Sequence, residues 1–273
     1  LESNDTDTLH SSAASLAYLA EDDECRARIL YSEAAPLLVP LLEHDCTIVY
    51  REVSRAISNL LSSCEIHDLI IKSGLYSLLQ ICADPDRECQ YNASLACRKI
   101  AVDKKSHPLM MTHASVLMSL VASKDFNTRK HALTTLRDLS SNSLNRQALV
   151  ELNSIQALVP LLDDQDALIQ TVAAATLHHL SSDCDLKSIV MADDIIVKAA
   201  SAILGASEHL LLQLAGLIAN LSEEDGNRLD MVEAGVVPAL AVISRSNSCH
   251  ILQVRFFYIH LKLDFKLVIL SLI

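Results

Sequence analysis

The side chains that could do chemistry are few and scattered. His178 and His179 are adjacent, and Cys82, Cys89 and His113 come nearest to a metal-ligand set. Neighbouring residues on a helix point about 100° apart, so the two histidines cannot readily share one ion. The Cys/His spacing fits no zinc template. There is no glycine-rich phosphate loop, no Gly-x-Ser-x-Gly elbow and no His-Glu-x-x-His. Acidic runs at Glu21–Glu24, Asp163–Asp166 and Glu223–Asp225 lack the alternating ligands of a calcium loop. They read as carboxylates that cap helix N-termini and keep the chain soluble. The sequence therefore predicts a non-catalytic chain with no cofactor and no metal, and binding is the chemistry left to find.

Charge gives the lead. Residues 51–137 hold 12 basic and 8 acidic side chains, whereas residues 1–50 hold 2 against 10 and residues 138–245 hold 5 against 15. A basic middle in a chain of net charge −12 focuses positive potential and suits an acidic partner. The same net charge argues against a general nucleic-acid binder, which must neutralise phosphates.

Composition narrows the scaffold. The 273 residues are 51% hydrophobic and 4% aromatic, with no Trp, 5 Gly and 6 Pro. Too few turn and aromatic residues are present for a β-sandwich or barrel, and too much apolar material for disorder. The class is all-α. None of the eight cysteines forms a Cys-x-x-Cys pair, and five lie between 46 and 97. They read as reduced thiols, which points to a cytoplasmic or nuclear protein.

A repeat near forty residues organises the helices. The segments SLAYLA, AISNLL, ACRKIA, TLRDLS, TLHHLS and LIANLS align on Leu19, Leu60, Ile100, Leu139, Leu180 and Leu221, spaced 41, 40, 39, 41 and 41. Apolar or small residues recur three and seven positions before each anchor, which is one face of a helix. Fourteen positions after each anchor come Glu33, Gly74, Ala114, Asn153, Asp194 and Gly235, a slot that suits a left-handed residue between two helices. A second apolar helix follows, as in PLLVPLL (36–42), SIQALVPLL (154–162) and VVPALAVI (236–243). No unit can bury its apolar stripes alone, so stacked units should form a right-handed α-solenoid of about six three-helix repeats.

This pattern resembles the armadillo repeat. NRQALVELNSIQALVPLL (145–162) and GNRLDMVEAGVVPALAVI (226–243) carry the likeness most clearly, and it covers about 9–253. The resemblance implies that the third, long helix of each repeat lines a concave groove for extended peptides. Importin-α-like members carry Asn there and Trp four residues earlier. Here the Asn slot, one residue before each anchor, holds Tyr18, Asn59, Lys99, Asp138, His179 and Asn220. The Trp slot holds Ala14, Arg55, Leu95, Thr134, Ala175 and Gly216. Only Asn59 and Asn220 match, as candidates for holding a peptide backbone. The chain is thus more similar to general scaffold members such as vacuolar protein 8 than to importin-α.

The groove stripe follows at one, five and nine residues before each anchor. With Arg98 and Arg137 alongside it, the candidate partner-binding residues are Arg51, Arg55, Asn59, Tyr91, Arg98, Lys99, Lys130, Arg137, His179 and Asn220. The expectation is a scaffold that binds an extended acidic protein segment along repeats two to four. The alternative is an importin-α-like nuclear transport receptor for peptide cargo. Nucleic acid is disfavoured because Tyr91 is the one aromatic platform on this stripe.

The chain starts with Leu inside a third helix and reads as a fragment or processed chain. The domain spans 1–253, and residues 254–273 read as a non-repeat apolar tail, a truncation or a reading-frame artefact. The longest uncharged terminal run, Leu267–Ile273, falls far short of the ~20 residues of a membrane span. Peripheral membrane association stays open for a longer protein.

Overall fold

The computed structural model describes residues 1–191 and 194–245, and these are helices and short connections with no strand among them. The expected tail, 254–273, lies outside the described residues. No described helix is long and apolar enough to cross a membrane.

The chain divides into two compact units, Leu1–Leu139 and the chain from Ser140 onward. In the first unit the long helices are Thr6–Leu19, Thr47–Leu60, Arg87–Ile100 and Phe126–Ser140, the last ending on the first residue of the second unit. Thr6–Leu19 packs on Thr47–Leu60, and Thr47–Leu60 on Arg87–Ile100. Two shorter helices separate successive long ones, for example His67–Ser73 and Leu75–Ile81. In the second unit Ala167–Ser181 packs on Glu208–Ser222, with Lys187–Val190 and Ile195–Ile203 between them. Each unit therefore repeats the three-helix pattern that the sequence predicts.

Carboxylates start the long helices. Asp86 accepts from the Cys89 N–H at 2.9 Å, Asp125 from Thr128 at 2.7 Å, and Asp166 from Leu168 and Ile169 at 2.9 and 3.0 Å. Each satisfies an amide that the first helical turn leaves unpaired. Asp22 of the first acidic run caps a short helix in the same way. The third run departs from expectation: Glu223 pairs with Lys187 and Asp225 with Arg228, and the following helix has no side-chain cap.

Basic side chains finish the same helices. Seven residues after each anchor stands Arg26, His67, His107, Arg146, Lys187 or Arg228. Arg26, His107, Arg146 and Arg228 meet the Ala20, Ala101, Ser140 and Ser222 carbonyls at 2.9, 2.9, 3.1 and 2.9 Å, and His67 lies 3.5 Å from the Leu61 carbonyl. These carbonyls have no partner inside the helix, and the negative end of its dipole favours a cation there. Lys187 pairs with Glu223 instead.

The anchors Leu60, Ile100, Leu139, Leu180 and Leu221 are buried. Leu19 is not; it is 49% exposed. In Thr6–Leu19 the buried face is Leu9, Ala13 and Ala17, continued by Ala20, one residue out of the expected register. These small side chains allow close approach to Thr47–Leu60, and Asn59 reaches the Ala17 carbonyl at 3.0 Å.

The left-handed slot is occupied as expected at Asn153 (φ 58°), Asp194 (φ 54°) and Gly235 (φ 85°). The other three slots differ. Glu33 has φ −78° and Gly74 φ −122°, while Ala114 begins a helix behind His113 at φ −120°. There the chain turns in regions open to any residue. At Gly74 an added Cβ would meet Ile70, Leu42 and Val39 side chains at 3.4 Å, which is ordinary contact.

Candidate functional site

Within the first unit the predicted stripe runs along Thr47–Leu60, Arg87–Ile100 and Phe126–Ser140. Three of its arginines are engaged by neighbouring carboxylates. Arg51 pairs with Asp86 at 2.7 Å and Glu88 at 3.4 Å. Arg55 pairs with Glu52 at 3.0 Å and lies 4.1 Å over the Tyr18 ring, within cation–π range. Arg137 holds Asp138 through Nε and Nη2 at 3.0 and 2.7 Å. These local pairs cancel much of the positive potential that the sequence assigns to the stripe.

The slot before each anchor does a different job from the one the resemblance implies. Asn59 donates to the Ala17 carbonyl, and Lys99 to the Ser58 carbonyl at 2.5 Å and Ser62 Oγ at 2.9 Å. Asn220 donates to the His178 carbonyl at 3.3 Å and to Ser181 and Ser182 Oγ at 3.0 and 3.1 Å. Ala17, Ser58 and His178 all lie in the last turn of the preceding long helix, where carbonyls lack helical partners. The slot therefore ties one repeat to the one before. His179 makes a similar link, its Nδ1 2.9 Å from Ser140 Oγ. Burial, followed by the charges of Arg98 and Arg26, pushes the Lys99 ammonium down to about 8.

The adjacent histidines serve opposite neighbours, His179 reaching back and His178 forward. His178 Nδ1 lies 3.1 Å from Gln213 Oε1, and its ring crosses Gly216 so closely that a Cβ there would sit 2.4 Å from Nε2. Gly216 in the Trp slot thus makes room for an imidazole. The Cys82 sulfur faces Cys97 at 3.9 Å in the core, while His113 meets Thr112 and Tyr76. All seven described cysteines are free thiols.

The remaining cations of the stripe are Arg98 and Lys130. Both are half-buried, and among the described residues neither charged end has an ion partner or an acceptor. The Arg98 Nε is buried without an acceptor. Beside them lies His131, a buried residue that the stripe does not include. Its Nδ1 is 3.2 Å from Ser94 Oγ, and its ring is 5.3 Å from that of Tyr91. Burial, then Arg98 and Lys130, drives its pKa down to about 4, against the opposing pull of Asp125. Sequence reasoning misses His131 because it stands eight residues before the anchor. Glu52 and Asn92 share that offset, and this run of polar residues is the available signal. A cleft of ≈ 370 Å³ adjoins Tyr91, lined by Glu52, Arg55, Arg87, Glu88, Asn92 and Asp125. Its surface is of mixed charge.

Comparison with known proteins agrees with this architecture. The sequence profile of the Armadillo/beta-catenin-like repeat matches residues 142–182. No curated protein matches the chain. Among solved structures, a crystal structure of an engineered protein is similar with TM-score 0.86 and 22% identity over 95% of this chain and 66% of its own. A designed armadillo repeat protein is similar with TM-score 0.75 and 21% identity over 82% of this chain and 97% of its own. Another, in complex with the peptide (KR)4, has TM-score 0.70 and 22% identity over 81% of this chain and 95% of its own. These likenesses bear on the fold. Together with the repeat match at residues 142–182, they show an all-α solenoid with the fold of armadillo-repeat structures.

Proposed function

We propose that the chain is a non-catalytic protein-interaction scaffold that holds an extended acidic segment of a partner along the long helices of repeats two to four. The observation that carries the reading is the pair Arg98 and Lys130, cations with no ion partner among the described residues, in the one region of net positive charge. Arg51, Arg55 and Arg137 each have a carboxylate partner inside the chain and Lys99 a carbonyl, so Arg98 and Lys130 are where an outside anion gains most. The designed armadillo neighbours, one described as made for modular peptide recognition, support peptide binding as a use of this fold.

The transport-receptor reading keeps one observation in its favour. Glu52, Glu88 and Asp125 line the cleft beside Tyr91, and a basic peptide could use them. An array of acidic and basic peptides separates the two. Acidic peptides should bind, and Arg98→Glu with Lys130→Glu should abolish their capture. Capture of basic peptides alone, or unchanged capture by the double variant, would refute the scaffold reading.

A further inference from the structure

We propose that Arg98 and Lys130, standing beside the Tyr91–His131 pair, form a subsite for a phosphoryl group carried on a side chain of the partner segment. The inference rests on the acidic-strand reading and names the anion that strand should carry.

The placement comes from one contact. The Ser94–His131 bond at 3.2 Å sets the register between Arg87–Ile100 and Phe126–Ser140. Arg98 lies one helical turn beyond Ser94, on the same face. Lys130 adjoins His131 in sequence. One cation thus stands on each of the two helices joined by this contact, and both act electrostatically on His131.

Around His131, cations outnumber carboxylates. Arg98 keeps a buried N–H without an acceptor, as Arg51 and Arg55 do, but unlike them it has no carboxylate partner among the described residues. Two neighbours record the resulting field. His131 and Lys99 both lose proton affinity; burial is the main cause, and Arg98 is the largest charge acting on each. The groups acting on His131 are Arg98 and Lys99 from one helix, Lys130 from its own and Asp125 just before that helix begins. Asp125 is the one carboxylate among them, and it caps the Thr128 amide at 2.7 Å.

A phosphoryl group suits this deficit better than a carboxylate. A carboxylate brings one charge and would leave one of the two cations unmatched. A phosphorylated side chain brings about −1.5 to −2 and three acceptor oxygens. An arginine fork takes two of those oxygens side by side, and a lysine takes another as a point charge.

The test uses the full 273-residue chain and a library of acidic dodecapeptides. Each peptide is made three times, with serine, glutamate or phosphoserine at its centre, and binding is read by fluorescence anisotropy. The best phosphoserine peptides should bind at least about tenfold tighter than their glutamate twins, given one to three added charge-assisted bonds. Arg98→Gln and Lys130→Gln should each erase that ratio. Lys104→Gln, which removes an exposed charge from a turn in the same unit, should keep it. Circular dichroism melting confirms that each variant is folded.

Phosphoserine no tighter than glutamate would overturn the subsite while leaving the acidic-strand reading standing. An equal loss of the ratio in Lys104→Gln would also overturn it, since net charge would then be the cause. Phosphoserine peptides that bind where the glutamate set does not would uphold the subsite and sink the broader reading. No binding by any peptide would sink both.

Discussion

His131 shows how a residue's surroundings set its protonation. It is buried against Tyr91 and Ser94 with cations on both sides, so its charged form is disfavoured in the folded chain. Its folded pKa of about 4 lies below the ordinary 6.5, so the unfolded chain takes up the proton first as pH falls. The stability from neutral His131 is complete above 6.5 and is lost progressively down to about 4. Urea titrations across this window should show a smaller acid loss for His131→Gln than for the parent. Equal losses would show that other groups carry the acid sensitivity. Lys99 follows the same sign at higher pH, with stability rising between about 8 and 10.5 as the folded form releases its proton first. Neither effect is visible in the sequence. The repeat offsets place Lys99 and Arg98 on the right helix but do not reveal what buries one and leaves the other without an acceptor.

At the scale of the helix, the two ends obey different degrees of legibility. Capping carboxylates such as Asp86 and Asp166 are local: the acceptor lies two or three residues from its donor, so the pattern can be read from a short window. The basic residue seven positions beyond each anchor recurs just as regularly, but its type varies among Arg, His and Lys, so no single letter marks it. Arg146 donates to the Ser140 carbonyl at 3.1 Å, and Arg146→Ala should destabilise the chain by about 1.5–3 kcal/mol in urea unfolding, the range for a hydrogen bond to a charged group. A change within error would show that water replaces the guanidinium at no cost. The left-handed slot was legible at Asn153, Asp194 and Gly235, whose small or short polar side chains suit positive φ. It failed at Glu33 and Ala114, whose side chains do not suit positive φ, and also at Gly74, which sits at φ −122° despite its freedom to adopt the slot. Harder to read are the links between repeats. Asn59 and its acceptor Ala17 are separated by 42 positions, and no local pattern names the partner.

For the chain as a whole, repetition made the architecture readable. Weak signals in any one repeat gain force from recurrence, and five of six anchors are buried as expected. The exception, Leu19, sits on a helix whose alanines set a neighbouring register. The uneven charge was readable too, but its cancellation by Asp86, Glu88 and Glu52 was not, since those pairs depend on side-chain reach. Under the proposed function two fields compete for an acidic ligand: a chain of net charge −12 repels it at long range, and Arg98 and Lys130 would attract it at short range. Screening lengths of about 30 Å at 0.01 M salt, 8 Å at 0.15 M and 3 Å at 1 M separate these ranges. Affinity for an acidic peptide should therefore rise from low to moderate salt and fall again at high salt. A monotonic fall in anisotropy titrations would show that the patch dominates at every distance.

The ties from Asn59, Lys99 and Asn220 to carbonyls in the preceding repeat also bear on how the protein can be cut and rebuilt. A module boundary drawn just after Ser62 would strip the Ser58 carbonyl of its lysine donor, leaving a frayed stub. Splicing that carries each slot residue along with the acceptor it serves would preserve the seam, so the natural unit of exchange straddles two repeats.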